Sequence, residues 1–172
     1  MRQVRDTSGT DEVDELVGAW RRERPDLDTS PMEVLSRVDR LARHVDRVRA
    51  NAFSRHGLEG WEFDVLAVLR RSGEPYRASP GALVRATGVT SGTMTNRVDR
   101  LVARGLVRRD SDPDDRRSVR VELTAEGRAT VDGALVDLLE AEHALLAGLD
   151  APGRTDLADG LRRLLASYGE PA

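Results

Sequence analysis

The chain of 172 residues has no cysteine, which excludes disulfides, thiolate metal sites and cysteine redox sensing without fixing a compartment. It has no lysine either; all 27 of its Lys/Arg positions are arginine. Arginine is the better fork for phosphate and guanine. A genome-wide bias toward arginine codons explains the missing lysine equally well. No long apolar run and no secretory hydrophobic region is present, so a cytoplasmic protein without a membrane span is expected. Enzyme signatures are missing too. There is no GxSxG, no phosphate-cradling glycine loop, no HExxH and no visible nucleophile–base set, so the expectation is a non-enzyme without a cofactor. The three histidines, His44, His56 and His143, lack metal-ligand spacing. Asp112, Asp114 and Asp115 lack the glycine turn and downstream glutamate of a calcium loop, and Arg116 and Arg117 beside them repel a cation. No metal is expected.

What is present suits a soluble, helix-rich chain: 39% apolar and 33% charged residues, long enough for one domain with a true core. The net charge of −3 argues against a general nucleic-acid binder, but its distribution is uneven. Residues 91–121 carry eight Arg against five Asp, and residues 122–172 carry four Arg against ten acids. The basic excess therefore falls on one stretch and the acidic excess is kept away from it.

That stretch, residues 79–124, reads SPGALVRATGVTSGTMTNRVDRLVARGLVRRDSDPDDRRSVRVELT. Ser79 is a good N-cap and Pro80 suits the first helical position. Leu83, Val84 and Ala86 give this short helix an apolar side, and Gly88 ends it. Thr90 or Ser91 caps a second helix with Val98, Leu101 and Val102 as its buried stripe, stopped by Gly105. Its other face presents Ser91, Thr93, Thr95, Asn96, Arg97, Arg100 and Arg104. Hydroxyls, an amide and arginines at such a face read base edges and hold phosphates. LVRR and SVRVEL then read as strands, with Leu106, Val107, Val119, Val121 and Leu123 as their apolar or branched positions, around the polar tip DSDPDDRR.

Helices flank this unit. Val13, Leu16, Val17 and Trp20 share one face of 11–24, whose N-terminal end is crowded with acids. Ser30, Pro31 and Glu33 read as a capping box opening a helix to about residue 55. In it Val34, Val38, Leu41, Val45, Val48 and Ala52 form a narrow seam suited to a second helix. A shorter helix at 61–70 turns Phe63, Leu66 and Leu69 inward, and GEPYR reads as a turn. Thr124 caps a long leucine-lined helix to about residue 149. After a break at 150–153 comes a final helix with Leu157, Leu161, Leu164, Leu165 and Tyr168. One chain has difficulty covering all of these faces, and a partner subunit is the natural cover.

The helix segment TSGTMTNRVDRLVARGLV, the wing DPDDRRSVRVELT and Gly127 just after it resemble the winged helix-turn-helix of the MarR family of transcription regulators. The resemblance implies a mainly α fold with a small β-hairpin wing, in a single domain over 1–172. Residues 60–123 would bind DNA, and residues 11–56 and 124–170 would supply dimerisation helices. It implies a homodimeric repressor on a pseudo-palindromic operator, with half-sites roughly 10 bp apart. Ser91, Thr93, Thr95, Asn96, Arg97 and Arg100 would meet the major groove. Arg116 and Arg117, above all Arg117, would enter the narrow minor groove, where negative potential attracts arginine. Asp115 would hold an arginine in place.

Within the family the chain is similar to the urate- and carboxylate-responsive branch, which has an extra N-terminal helix. Trp20, Asp64, Arg97 and Arg109 match the positions that grip a small anionic effector in that branch. Two arginines can hold an anion by charge-assisted bonds, and a tryptophan face can cover a planar ring. Two alternatives remain at this point: a DNA-binding winged helix without an effector, and a protein-interaction module that keeps the fold alone.

Overall fold

The computed structural model of the chain describes residues 9–111 and 119–166. Among them, helices α1 (Glu12–Glu23), α2 (Ser30–Ser54) and α3 (Gly60–Arg71) precede strand β1 (Arg77–Ala78). Helices α4 (Pro80–Thr87) and α5 (Ser91–Ala103) lead to strands β2 (Val107–Ser111) and β3 (Val119–Leu123). Helix α6 (Ala125–Leu145), a short 3-10 turn (Leu146–Gly148) and α7 (Ala151–Ala166) complete the order. The fold is mainly helical with one small antiparallel sheet, strand order β1-β3-β2, as the sequence predicts. The chain divides into two compact units, Met1–Arg47 and Val48–Ala172, with the boundary inside α2.

In the first unit α1 opens on Asp11. Its carboxylate accepts from the amides of Val13 at 2.8 Å and Asp14 at 3.0 Å, and Asp14 accepts in return from the Asp11 amide at 2.8 Å. These bonds satisfy amides that a helix start leaves orphaned, and the acids meet the positive end of its dipole. Val13 and Val17 are buried, whereas Trp20 stays 45% exposed. Arg37 of α2 reaches the carboxylates of Asp11 at 2.9 Å and Asp14 at 2.8 Å. The start of α2 departs from expectation. Ser30 is the first helical residue rather than the cap; the Asp28 carboxylate accepts from its amide at 2.9 Å. Glu33 pairs with Arg21 at 2.5 Å instead of closing a box. The Thr29 carbonyl accepts from the Met32 amide at 3.0 Å, so the helix opens one residue before the cap expected at Ser30. The seam residues Val34, Val38 and Leu41 face solvent.

In the second unit Leu66 and Leu69 of α3, Leu83 of α4, and Met94, Val98 and Leu101 of α5 share one core with Val121 and Leu123 of β3. Val131, Ala134 and Leu138 of α6 close it, and Phe53 stacks on Phe63 with ring centroids 4.2 Å apart. Each such leucine contributes about 1.5–3 kcal/mol by leaving water. Val102, expected in the stripe, is 40% exposed, and Met94 takes its place. The set 94, 98, 101 holds one helical face, while 102 falls past its edge. Ala86 is exposed as well. The GEPYR turn leads directly into β1, too short to be visible in the sequence, which pairs Arg77 with Glu122 and Ala78 with Val121. Helix α6 ends at Leu145 rather than at about residue 149, and the final helix starts at Ala151. The break expected at 150–153 thus lies upstream, over the 3-10 turn, Leu149 and Asp150. The Asp150 carboxylate accepts from the Gly153 amide at 2.9 Å. No described helix is long and apolar enough to cross a membrane.

Candidate nucleic-acid interface

Helix α4 begins as expected. The Ser79 hydroxyl accepts from the Ala82 amide at 3.2 Å, Pro80 sits in the first turn, and Gly88 ends the helix at φ 66°. Thr90, not Ser91, caps α5, accepting from the Thr93 amide at 3.3 Å. At the other end Gly105, at φ 72°, bonds back to the Val102 carbonyl at 2.9 Å, and Leu106 bonds to the Leu101 carbonyl at 3.0 Å. This paired closure is the Schellman stop, and it favours glycine at the left-handed position. A helix of defined length is thereby fixed with Met94, Val98 and Leu101 buried.

The opposite face carries the expected readers. Ser91, Thr93, Thr95, Asn96 and Arg100 are exposed, and Arg97 is half-buried. The Thr95 hydroxyl donates to the Ser91 carbonyl at 3.0 Å, which leaves its lone pairs outward as acceptors. Two regimes divide the helix. Its N-terminal half offers neutral polar groups, and its C-terminal half offers arginines fastened to the start of α3.

The fastening was not legible in the sequence. The Arg97 guanidinium lies 5.4 Å and that of Arg100 4.6 Å from the Trp61 ring. Arg100 also donates to Glu59 at 2.7 Å, and the Trp61 indole N–H donates to the other oxygen of that carboxylate at 2.7 Å. The indole bond first, then Arg100, holds the Glu59 carboxyl below its usual range. Glu62 is 1% exposed. One of its oxygens accepts from Arg104 at 2.5 Å and from the Glu59 amide at 2.9 Å, while the other, buried, has no partner. Arg104 donates besides to the Gly57 carbonyl at 2.9 Å. The arginines at 97, 100 and 104 recur at helical spacing, but nothing in the sequence shows that Glu59, Trp61 and Glu62 lie opposite.

The wing is a regular antiparallel ladder from Val107↔Leu123 to Ser111↔Val119. Val107, Val121 and Leu123 are buried as expected, and Val119 is exposed. Arg108 pairs with Glu122 at 2.8 Å and Asp110 at 3.0 Å. Arg109 donates to Asp99 of α5 at 2.5 Å and to the Thr95 carbonyl at 3.3 Å, tying wing to recognition helix. Asp115, Arg116 and Arg117 lie outside the described residues. Gly127 has a clear role: a Cβ there would stand 1.9 Å from the Leu106 carbonyl oxygen. The same carbonyl accepts from the Thr124 amide at 3.1 Å, and the Thr124 hydroxyl accepts from the Gly127 amide at 2.9 Å. The first turn of α6 thus lies against the turn that ends α5, and only glycine fits that approach.

The four effector positions have different surroundings. Trp20 is exposed on α1. Arg97 lies on Trp61, Arg109 on Asp99, and Asp64 is exposed on α3, where it lines a separate hollow. Among the described residues no hydrogen bond or ion pair joins Asp64, Arg97 and Arg109 to one another. No group of three or more His, Asp or Glu among those residues is arranged to hold a metal.

The sequence profile of the MarR family matches residues 56–118. Over 153 residues the chain is 40% identical to the HTH-type transcriptional regulator PecS of Dickeya dadantii, covering 89% of this chain and 92% of the relative. The chain belongs to the MarR family. Among solved structures, a cysteine-to-serine mutant of MarR from E. coli complexed with operator DNA is similar at TM-score 0.66 and 26% identity, over 81% of this chain and 99% of that one. BpsR of Bordetella bronchiseptica, whose DNA binding is regulated by 6-hydroxynicotinic acid, is similar at TM-score 0.58 and 30% identity, over 74% and 91%. The fold is therefore the winged helix-turn-helix of MarR-family DNA-binding transcription regulators, and the role is that of such a regulator.

Proposed function

We propose that this MarR-family regulator acts in the cytoplasm as a homodimeric repressor and is released from its operator by a small anionic effector. Residues 60–123 form the DNA-binding region, and residues 11–56 and 124–170 form the dimerisation helices. The observation that carries the DNA reading is the outward face of α5. There Ser91, Thr93, Thr95 and Asn96 present neutral donors and acceptors beside Arg97 and Arg100. These groups contact bases and phosphates in the major groove. Arg116 and Arg117 enter the minor groove. Leucines on the outer side of α6 and α7 support the dimer, because they stay exposed in the single chain.

The effector reading rests on the likeness to the urate- and carboxylate-responsive branch with its extra N-terminal helix. It rests also on a relative whose DNA binding answers to an aromatic acid. Trp20, Asp64, Arg97 and Arg109 form its site. Arg97 lies on the recognition helix and Arg109 bonds to it, so drawing either toward an anion reorients that helix. An effector shifts the equilibrium only by its preference for the non-binding conformation.

Fluorescence anisotropy with the DNA upstream of its own gene, across a salt series, tests this reading. Tight binding with a steep salt dependence, relieved by urate or 6-hydroxynicotinate, is expected. Replacing Arg116 and Arg117 with alanine should lower the log–log salt slope by about two, at roughly 0.9 per lost phosphate contact. An unchanged slope removes the wing from the interface. Absence of specific binding here and in a random-oligonucleotide selection leaves the fold as a protein-interaction module.

A further inference from the structure

Helix α5 meets the start of α3 through two devices with different effects. Toward the end of the helix Arg104 bonds to the buried carboxylate of Glu62 and to the Gly57 carbonyl. That anchor fixes the helix. One turn earlier the contacts fix a side chain instead. The Arg100 guanidinium lies 4.6 Å from the centre of the Trp61 ring and donates to Glu59 at 2.7 Å. The Trp61 indole N–H donates to the other oxygen of that carboxylate, also at 2.7 Å. The three groups close a triangle in which a ring supports the guanidinium from one side and a carboxylate holds its edge. Arg97 shares the ring at 5.4 Å, but among the described residues it has no carboxylate partner. The Arg100 and Glu59 side chains are 52% and 59% exposed, so their ion pair contributes little to folding. What it does define is the orientation of an arginine on the outward face of α5.

We propose that Glu59 and Trp61 are positioning residues that set DNA specificity: they hold the Arg100 guanidinium in one orientation, in register with the operator. A guanidinium has more donors than the bond to Glu59 uses, and the rest remain for DNA. A loose arginine finds a phosphate on any sequence. An arginine already held in place loses less freedom on binding the DNA that matches its orientation. The Glu59 carboxylate adds a repulsive element, because a phosphate displaced from the correct register meets its charge. Specificity is a difference of affinities and is raised by both effects. The inference rests on the reading of α5 as the DNA-contacting helix and adds to it two residues of α3 that act through Arg100.

The test is fluorescence anisotropy with the upstream operator duplex and a scrambled duplex of the same length and composition, with thermal unfolding as the folding control. Glu59→Gln should lower the preference for the operator about fivefold or more, the size of a coupled contact. Binding to the scrambled duplex should hold or tighten, because a negative charge leaves the interface. Trp61→Leu should lower the preference similarly, and Trp61→Phe, which keeps a ring face, should recover most of it. In an Arg100→Ala background neither Glu59→Gln nor Trp61→Leu should change the preference by more than about twofold. A drop of the same size in both backgrounds overturns the inference, since the two residues would then act on the fold of α3 rather than through Arg100. An unchanged preference in Glu59→Gln and Trp61→Leu, with a loss in Arg100→Ala, also overturns it and leaves the DNA reading standing. If Arg100→Ala binds both duplexes like the wild type, the inference falls and the DNA reading continues without Arg100. If the wild type has no preference for the operator, the DNA reading and this inference fall together.

Discussion

The reading head and the outer helices use the same residue to opposite ends. Leu66, Leu69, Leu83 and Leu101 are wholly buried in a core closed by their own chain. Leu139 on α6 and Leu157, Leu161 and Leu165 on α7 are 37–59% exposed, and no residue of α7 is buried. Charge is divided in parallel. In the head the arginines of α5 bind acids and an indole of the neighbouring helix, whereas α1 and α2 are joined by exposed ion pairs. One region covers its apolar side chains within the single chain; the other leaves them exposed, where the proposed dimer would cover them.

The sharpest way to break the head is through its tightest approach. Gly127→Ala puts a methyl group 1.9 Å from the Leu106 carbonyl oxygen, a backbone atom that cannot rotate away. The turn after α5 and the start of α6 must part. A loss of about 3 kcal/mol or more is expected, the upper end for over-packing. That corresponds to a fall in Tm of roughly 10 °C for a chain of this size. Thermal unfolding by circular dichroism measures it, and a Tm within two degrees of the wild type removes the close approach from the account.

The outer face should respond in the opposite manner. Replacing Leu161 and Leu165 together with glutamate should barely change folding of the head, because both side chains are already exposed. It should abolish self-association instead. Light scattering is expected to report one chain instead of two, and operator affinity should fall more than tenfold as the second half-site is lost. An unchanged mass would show that α7 lies outside the dimer interface.

The same division decided what the sequence could reveal. Local devices were legible: the Ser79 cap, Pro80, the left-handed Gly88 and Gly105, the Thr124 cap, and the buried Leu101, Val121 and Val131. Each depends on neighbours within a turn or two. At α2 the helix opens one residue before the cap expected at Ser30, since Ser30 and Thr29 are both able to stand at a helix start and the sequence does not choose between them. The arginine contacts were not legible, because Glu59 and Trp61 lie about forty residues before their partners and only the fold brings them opposite Arg100. Gly127 stood out as part of a family pattern, while its reason, the passing Leu106 carbonyl, emerges only in three dimensions.

The smallest effect belongs to the exposed pairing that joins α1 to α2. The Arg37 guanidinium, and after it the amides of Asp14 and Val13, hold the Asp11 carboxyl at about 2 against an ordinary 3.8. The folded value lies below the unfolded one, so the stabilisation is complete above about pH 3.8 and is lost as the pH falls toward 2. Between pH 5 and 8 this group contributes no pH dependence at all. A carbon-detected NMR titration of the Asp11 carboxyl should show a midpoint near 2, and Arg37→Ala should move it most of the way back to 3.8. A wild-type midpoint already near 3.8 would mean that the exposed ion pair is open in solution. Helix α1 would then be held by Val13, Val17 and its Arg21–Glu33 and Arg40–Glu12 pairs, and the contrast between a charge-tied flank and a core-packed head would narrow.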